Sequence, residues 1–122
     1  AYCFAEKKGY SKFGSYTGNS NADGTFVYTG FKPAWVVIKR TDTTANWHML
    51  DNKRDPINEA DATLLANDAG AEFQSTNDVD FLSNGFKLRA NQTSTNVGTY
   101  IYMAFAENPF VTAGTKAAGT AR

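Results

Sequence analysis

The polar and apolar positions of this chain alternate in short runs separated by clusters of Gly, Asn, Asp, Ser and Thr. The longest alternating run is Gly98 to Glu107. Ile101, Met103 and Phe105 fall on one face, and Tyr100, Tyr102, Ala104 and Ala106 on the other, with Asn108-Pro109 as the stop. Ala34-Trp35-Val36-Val37-Ile38-Lys39-Arg40 is apolar on both faces at its centre. It predicts a strand inside a sheet covered on both sides. Phe26 to Thr29, Asn46 to Asp51, Val79 to Leu82 and Phe86 to Arg89 read as further short strands. Ser83-Asn84-Gly85 predicts a tight turn with Asn-Gly at its centre. In Gly9 to Thr17 the aromatic spacing of three is not clean alternation, and Gly14 is a candidate bulge.

Between Asn52 and Asp78 the pattern fails. Asn, Asp and Ala dominate, and Pro56 and Gly70 interrupt. Ala60 to Ala66 suits either a short helix or a short strand, and the whole stretch reads as one long irregular excursion. About seven strands and no firm helix predict an all-β chain, an antiparallel β-sandwich or jelly-roll-like single domain. Ala113 to Arg122 lacks hydrophobic period, so 111–122 is expected to be an extended tail.

The two ends of the chain echo each other. Phe4-Ala5-Glu6 recurs as Phe105-Ala106-Glu107. Residues 1–8 are therefore expected to form a leading strand, a copy of the strand that closes the domain of residues 9–110, serving as a linker or as a strand exchanged with another copy. A separation of about 100 residues suits whole domains in tandem rather than a solenoid.

Composition narrows the function. With 122 residues, 42% hydrophobic and 14% aromatic, the chain holds one domain with one core. Twelve basic and twelve acidic residues cancel without a basic block, so the footprint of a nucleic-acid partner is missing. No apolar run is long enough to span a bilayer, so membrane insertion is not expected. The single cysteine, Cys3, allows no intrachain disulfide and no cysteine metal cluster; it is expected to be a small buried hydrophobe.

The remaining candidates for chemistry are sparse. His48 is the only histidine and sits between Trp47 and Met49, where it is expected to face solvent or a polar neighbour rather than serve a triad. No nucleophile elbow, phosphate loop or zinc motif occurs. Asp51 with Asp55, and Asp78 with Asp80, are loose groups without a calcium-loop pattern. Glu6 and Glu107 are related by the echo, not by a glycosidase cleft. No catalytic residue, metal or cofactor is expected. Aromatic rings beside amides suit ligands that are half apolar and half wet. Trp35 reads as core, whereas Asn46, Trp47, Asn67 and Asp68 are the candidate ligand-binding residues. Tyr2, Cys3, Phe4, Ala5 and Glu6 are the candidate assembly strand, since an added strand satisfies an open sheet edge.

Several motifs carry a resemblance: Gly9-Tyr10-Ser11-Lys12-Phe13-Gly14-Ser15-Tyr16-Thr17-Gly18-Asn19, Asp23-Gly24, Phe26-Val27-Tyr28-Thr29-Gly30-Phe31 and Pro33-Ala34-Trp35-Val36. Ile38-Lys39-Arg40-Thr41, Asn46-Trp47, Asp51-Asn52-Lys53-Arg54, Asp80 to Arg89, Gly98 to Phe110 and Thr120-Ala121-Arg122 continue it. Together they resemble a module near the carboxy end of tailed-phage tail fibres of the marine and cyanophage type, least so over Pro56 to Asn77. The resemblance implies a virion or extracellular location and a non-enzymatic module for host attachment through a bacterial surface glycan or protein. It transfers no catalytic or binding residue. A structural subunit is the other expectation. Its partners would be copies of itself, as a trimer or as a head-to-tail polymer joined through residues 1–6.

Overall fold

The computed structural model describes residues 1–109, apart from the side chains of 77 and 78. The expected tail therefore lies outside the described residues, as does the Asp78 side chain. Eight strands follow one another: β1 (Ser11–Thr17), β2 (Phe26–Tyr28), β3 (Pro33–Arg40), β4 (Trp47–Asp51), β5 (Ala60–Leu65), β6 (Phe73–Leu82), β7 (Gly85–Leu88) and β8 (Thr99–Ala106). All pair antiparallel in one sheet of order β1-β8-β3-β4-β5-β6-β7-β2, so the fold is all-β.

The sheet doubles over at β5, and its two edge strands come alongside each other. Thr25 Oγ1 donates to the Thr17 carbonyl at 2.8 Å, which ties the end of β1 to the start of β2. The result is a sandwich nearly closed into a barrel. Closing an antiparallel sheet on itself removes exposed edges.

Cross-strand register decides which residues face inward. Tyr16 opposes Tyr100, Ile38 opposes Tyr102, and Val36 opposes Ala104 and Leu50. This inner row meets Val27, Val79, Phe81, Phe86 and Leu88 from the other layer. Val36, Ile38, Leu50, Val79, Phe86, Leu88 and Tyr100 are all at 0% exposure. Each such large apolar side chain contributes roughly 1.5–3 kcal/mol on burial. Aromatic edges lock the layers: Phe86 meets Tyr102 at 5.4 Å and Tyr16 at 6.1 Å between ring centroids.

Several expectations need correction. The stretch read as one irregular excursion, 52–78, holds all of β5 and the first half of β6. Its ladder is partly built by side chains. Asp55 Oδ2 accepts the N–H groups of Asp61 (2.9 Å) and Ala62 (2.6 Å). Asn58 pairs with Phe81 as a strand would, accepting from its N–H at 3.0 Å and donating to its carbonyl at 3.1 Å. Polar residues that pair with backbone erase the alternation by which a strand is recognised.

Gly14 marks no bulge, because β1 pairs with β8 in unbroken register. It makes room for Tyr102, whose ring would lie 3.0 Å from an added Cβ. The β6–β7 hairpin turns on Ser83-Asn84, since Leu82 pairs with Gly85. Gly85 is a strand residue pressed against β2, where a Cβ would fall 2.1 Å from the Val27 carbonyl oxygen.

Ala1 to Glu6 form no strand in this chain. After the Lys7–Ser11 bridge the segment leaves the edge of β1, because side chains take over the pairing. Ser11 Oγ donates to the Ala5 carbonyl at 3.1 Å, and Glu6 pairs with Lys12 at 2.8 Å. Residues 1–6 become a strap that carries Phe4 onto the outer face of the sheet. There Phe4 meets Phe105, its own counterpart in the echo, at 6.4 Å, and Phe13 at 6.1 Å.

Candidate functional site

The outer face of β1, β8, β3 and β4 is apolar where a solvated sheet face is ordinarily polar. One row across the strands reads Phe13, Met103, Val37, Met49, and Leu64 of β5 extends it. The next row reads Ser15, Ile101, Lys39, Trp47. The expectation that β3 is covered on both faces holds only in part. Phe4 and Tyr10 cover the Phe105 end, where Trp35 lies half-buried against Phe105 at 5.6 Å. Beyond the strap the face stays open as a groove of about 700 Å³, floored by Val37, Ile101 and Met103 and walled by Phe4 and Trp47. Such a volume lies in the range of small-ligand sites.

Trp47, which walls the groove, is tied to polar neighbours behind it. Trp47 is 39% exposed. Its backbone N–H donates to Asn67 Oδ1 at 2.9 Å, and Asn67 Nδ2 donates to Asn46 Oδ1 at 3.0 Å. The Ala66 N–H closes the arrangement on the Trp47 carbonyl at 3.0 Å. Both polar atoms of Asn67 are thus engaged within the protein. Asn46 is held with its oxygen turned toward Asn67, which turns its amide N–H groups the other way. The Lys39 ammonium, the nearest cation in that row, donates to the Arg40 carbonyl. The mouth is an exposed indole beside a fixed amide, with the Lys39 ammonium in the same row.

The structure therefore brings Asn46, Trp47 and Asn67 together although twenty residues separate the last two. Asp68 belongs to the same turn but serves it internally, accepting from the Gly70 N–H at 2.9 Å. Sequence reasoning did not find Val37, Ile101 and Met103 as groove residues. Alternation showed that Ile101 and Met103 share a face, but nothing along the chain says which face of a two-sided apolar sheet is left open.

Other candidates are placed differently from expectation. Cys3 is exposed on the strap rather than buried. His48 is 7% exposed and lies on the inner side between Ile38 and Leu65, not toward solvent. Burial, then the nearby Lys39 charge, lowers its pKa below the ordinary value. The folded state therefore holds the imidazole neutral while the unfolded chain takes up a proton as pH falls through about 6.5. Stability is full above that pH and declines below it. His48→Gln is expected to flatten this decline between about pH 6.5 and 5; urea unfolding at the two pH values measures it, and an unchanged difference would refute the assignment.

The acidic groups hold structure. Asp51 binds Arg54 Nε at 2.5 Å, and Arg54 reaches on to Glu72 at 3.0 Å, clamping the 52–59 loop. Asp55 is engaged with β5 as described, and Asp80 faces Arg89 at 3.5 Å. Glu6 and Glu107 each pair with a lysine, Lys12 and Lys32. Among the described residues no three His, Cys, Asp or Glu side chains converge as metal ligands. No helix among them is long and apolar enough to cross a membrane.

An eight-stranded domain with an open apolar groove on one sheet face is the class these features define. The chain belongs to the family described as a domain of unknown function (DUF7483), which matches residues 1–109. The matched span includes the strap as well as the strands. No curated protein and no solved structure matches the chain.

Proposed function

We propose that this domain is a non-catalytic attachment module of a virion fibre, which binds a glycan or protein of the bacterial surface at the Trp47 end of the groove. The observation that carries the reading is the exposed Trp47 on the groove wall, tied through Asn67 to Asn46. An exposed indole offers an apolar face to the C–H side of a sugar ring or to a side chain. The amide held beside it supplies hydrogen bonds to the ligand's polar edge. Rigid placement of both lowers the ordering cost of binding. The sequence resemblance to tail-fibre modules supports the virion and extracellular setting.

The test is binding of the 122-residue chain to host cells and to a glycan array. Trp47→Ala is expected to weaken binding by about ten- to a hundredfold, as loss of an aromatic anchor does. Its half-exposed side chain makes the stability cost small. Equal binding by Trp47→Ala and the parent chain would remove the site.

A structural subunit is the second reading, with residues 1–6 added as a strand to another copy. What favours it is the strap's position outside the sheet, beside edge strand β1. Trimers and head-to-tail polymers are both compatible with that reading.

A further inference from the structure

We propose that the cleft around Tyr28 binds an acidic sugar, a pyranose ring that carries one carboxylate. The cleft shares no lining residue with the groove beside Trp47, and the proposal does not depend on that site.

The cleft lies where the end of β2, the β6–β7 turn and the turn before β1 meet. It consists of two adjoining hollows of about 330 and 560 Å³, both lined by Gly9, Tyr28, Gly30 and Phe31. Volumes of this order suit one or two sugar rings. Main-chain hydrogen bonds hold the walls to one another. The Asn84 carbonyl accepts from the N–H groups of Thr29 at 3.0 Å and Gly30 at 3.2 Å. The Lys32 carbonyl accepts from the Glu107 N–H, and the Tyr10 carbonyl from the Ala106 N–H, each at 2.9 Å. The side chains along the walls are left over from this work. Ser83, Asn84 and Asn108 line the larger hollow and form no side-chain hydrogen bond among the described residues.

Tyr28 supplies the apolar surface. It is 65% exposed, and its partner across the ladder is Gly85, which has no side chain to cover the ring. Gly30, at φ +83°, passes the main chain close by: an added Cβ would lie 3.6 Å from the Tyr28 hydroxyl. A bare phenol ring takes the C–H side of a sugar, while amides and a hydroxyl beside it take the sugar's own hydroxyls.

Charge selects the class of sugar. Three lysines line the cleft. Lys12 is matched by Glu6 and Lys32 by Glu107. Lys8 has no acidic partner among the described residues. One positive charge is therefore unmatched, and it suits one anionic group through charge-assisted hydrogen bonds. A bare inorganic anion would leave the Tyr28 ring and the amides unused, and a neutral sugar would leave Lys8 unused. A ring bearing a carboxylate uses all of them.

The test is an amide chemical-shift titration of the 122-residue chain with three probes at millimolar concentrations: the methyl glycosides of glucuronic, galacturonic and N-acetylneuraminic acids. The methyl glycosides of glucose and galactose and sodium acetate serve as controls. At least one acidic sugar is expected to shift the Gly9, Gly30 and Asn84 signals, with its neutral counterpart and acetate each weaker by about tenfold or more. Lys8→Gln should remove the preference for the acidic sugar, and Tyr28→Ala should weaken the binding by about tenfold. Both side chains are exposed, so the melting temperature should not change in either variant. No shift at these amides with any of the three acidic sugars would overturn the proposal. So would equal binding of the neutral sugars or acetate, or an acidic preference that survives Lys8→Gln. The shifts should persist in Trp47→Ala, so the failure of either site is seen apart from the other.

Discussion

Replacing Phe86 by alanine is expected to lower the unfolding free energy by about 3–5 kcal/mol, the largest effect of any single truncation in this domain. Phe86 is fully buried and touches both layers, with its ring edge-on to Tyr16 and Tyr102. Truncation leaves a cavity between the two layers that the β6–β7 hairpin and the β2 ladder prevent from collapsing. For a domain of this size the melting temperature should fall by about 10–20 °C. Phe86→Leu keeps most of the volume and should recover more than half of the loss. A Phe86→Ala variant within about 1 kcal/mol of the parent by urea unfolding would show that the two layers do not pack through this ring.

The second large effect is expected at Asn96, a polar residue with 0% exposure. Its Oδ1 accepts from the Asn19 N–H at 3.2 Å. Its Nδ2 donates to the carbonyls of Asn21 at 2.7 Å and Ala90 at 3.0 Å. One amide thus fastens the 18–24 turn to the loop before β8. Gly18 lies so close that an added Cβ would be 2.2 Å from the Asn96 carbonyl carbon. Asn96→Ala removes the partner of the Asn19 N–H and of the Asn21 and Ala90 carbonyls and unfastens the turn from the loop. The expected loss is about 2–4 kcal/mol, less than three groups at about 1–3 kcal/mol each would cost if fully enclosed, because Asn19 and Asn21 lie at the surface. Asn96→Asp should be nearly as damaging, because an oxygen then faces the two carbonyls that Nδ2 served. Amide hydrogen exchange gives a local reading: the Asn19 and Ser20 N–H groups should lose protection first. If Asn96→Ala leaves their protection intact, the amide is not the clasp.

Both residues bear on how much of the fold was legible along the chain. Phe86 was: it stands in an apolar–basic alternation after a turn, which assigns strand and buried face together. Asn96 was not, because an asparagine in a polar loop looks the same whether it is solvated or enclosed. What distinguishes it is the arrival of Asn19 and Asn21 from about 75 residues away. The site divides in the same way. Asn46, Trp47 and Asn67 could be named from residue type, an aromatic between amides in polar loops. That Asn67 pairs with the Trp47 backbone follows from the β4–β5 ladder, and β5 was hidden by the Asp and Asn residues around it.

By itself the sequence determined the antiparallel all-β class, most strand positions and the two faces of β8. Those properties follow from local period and turn chemistry, which act over a few residues. The tertiary structure alone decided that residues 1–6 fold back as a strap, that His48 is enclosed, and that the outer face of β3 and β8 stays partly open. Each of these depends on which distant segment comes to lie beside a given surface. A two-sided apolar strand carries no mark of which side its chain will cover.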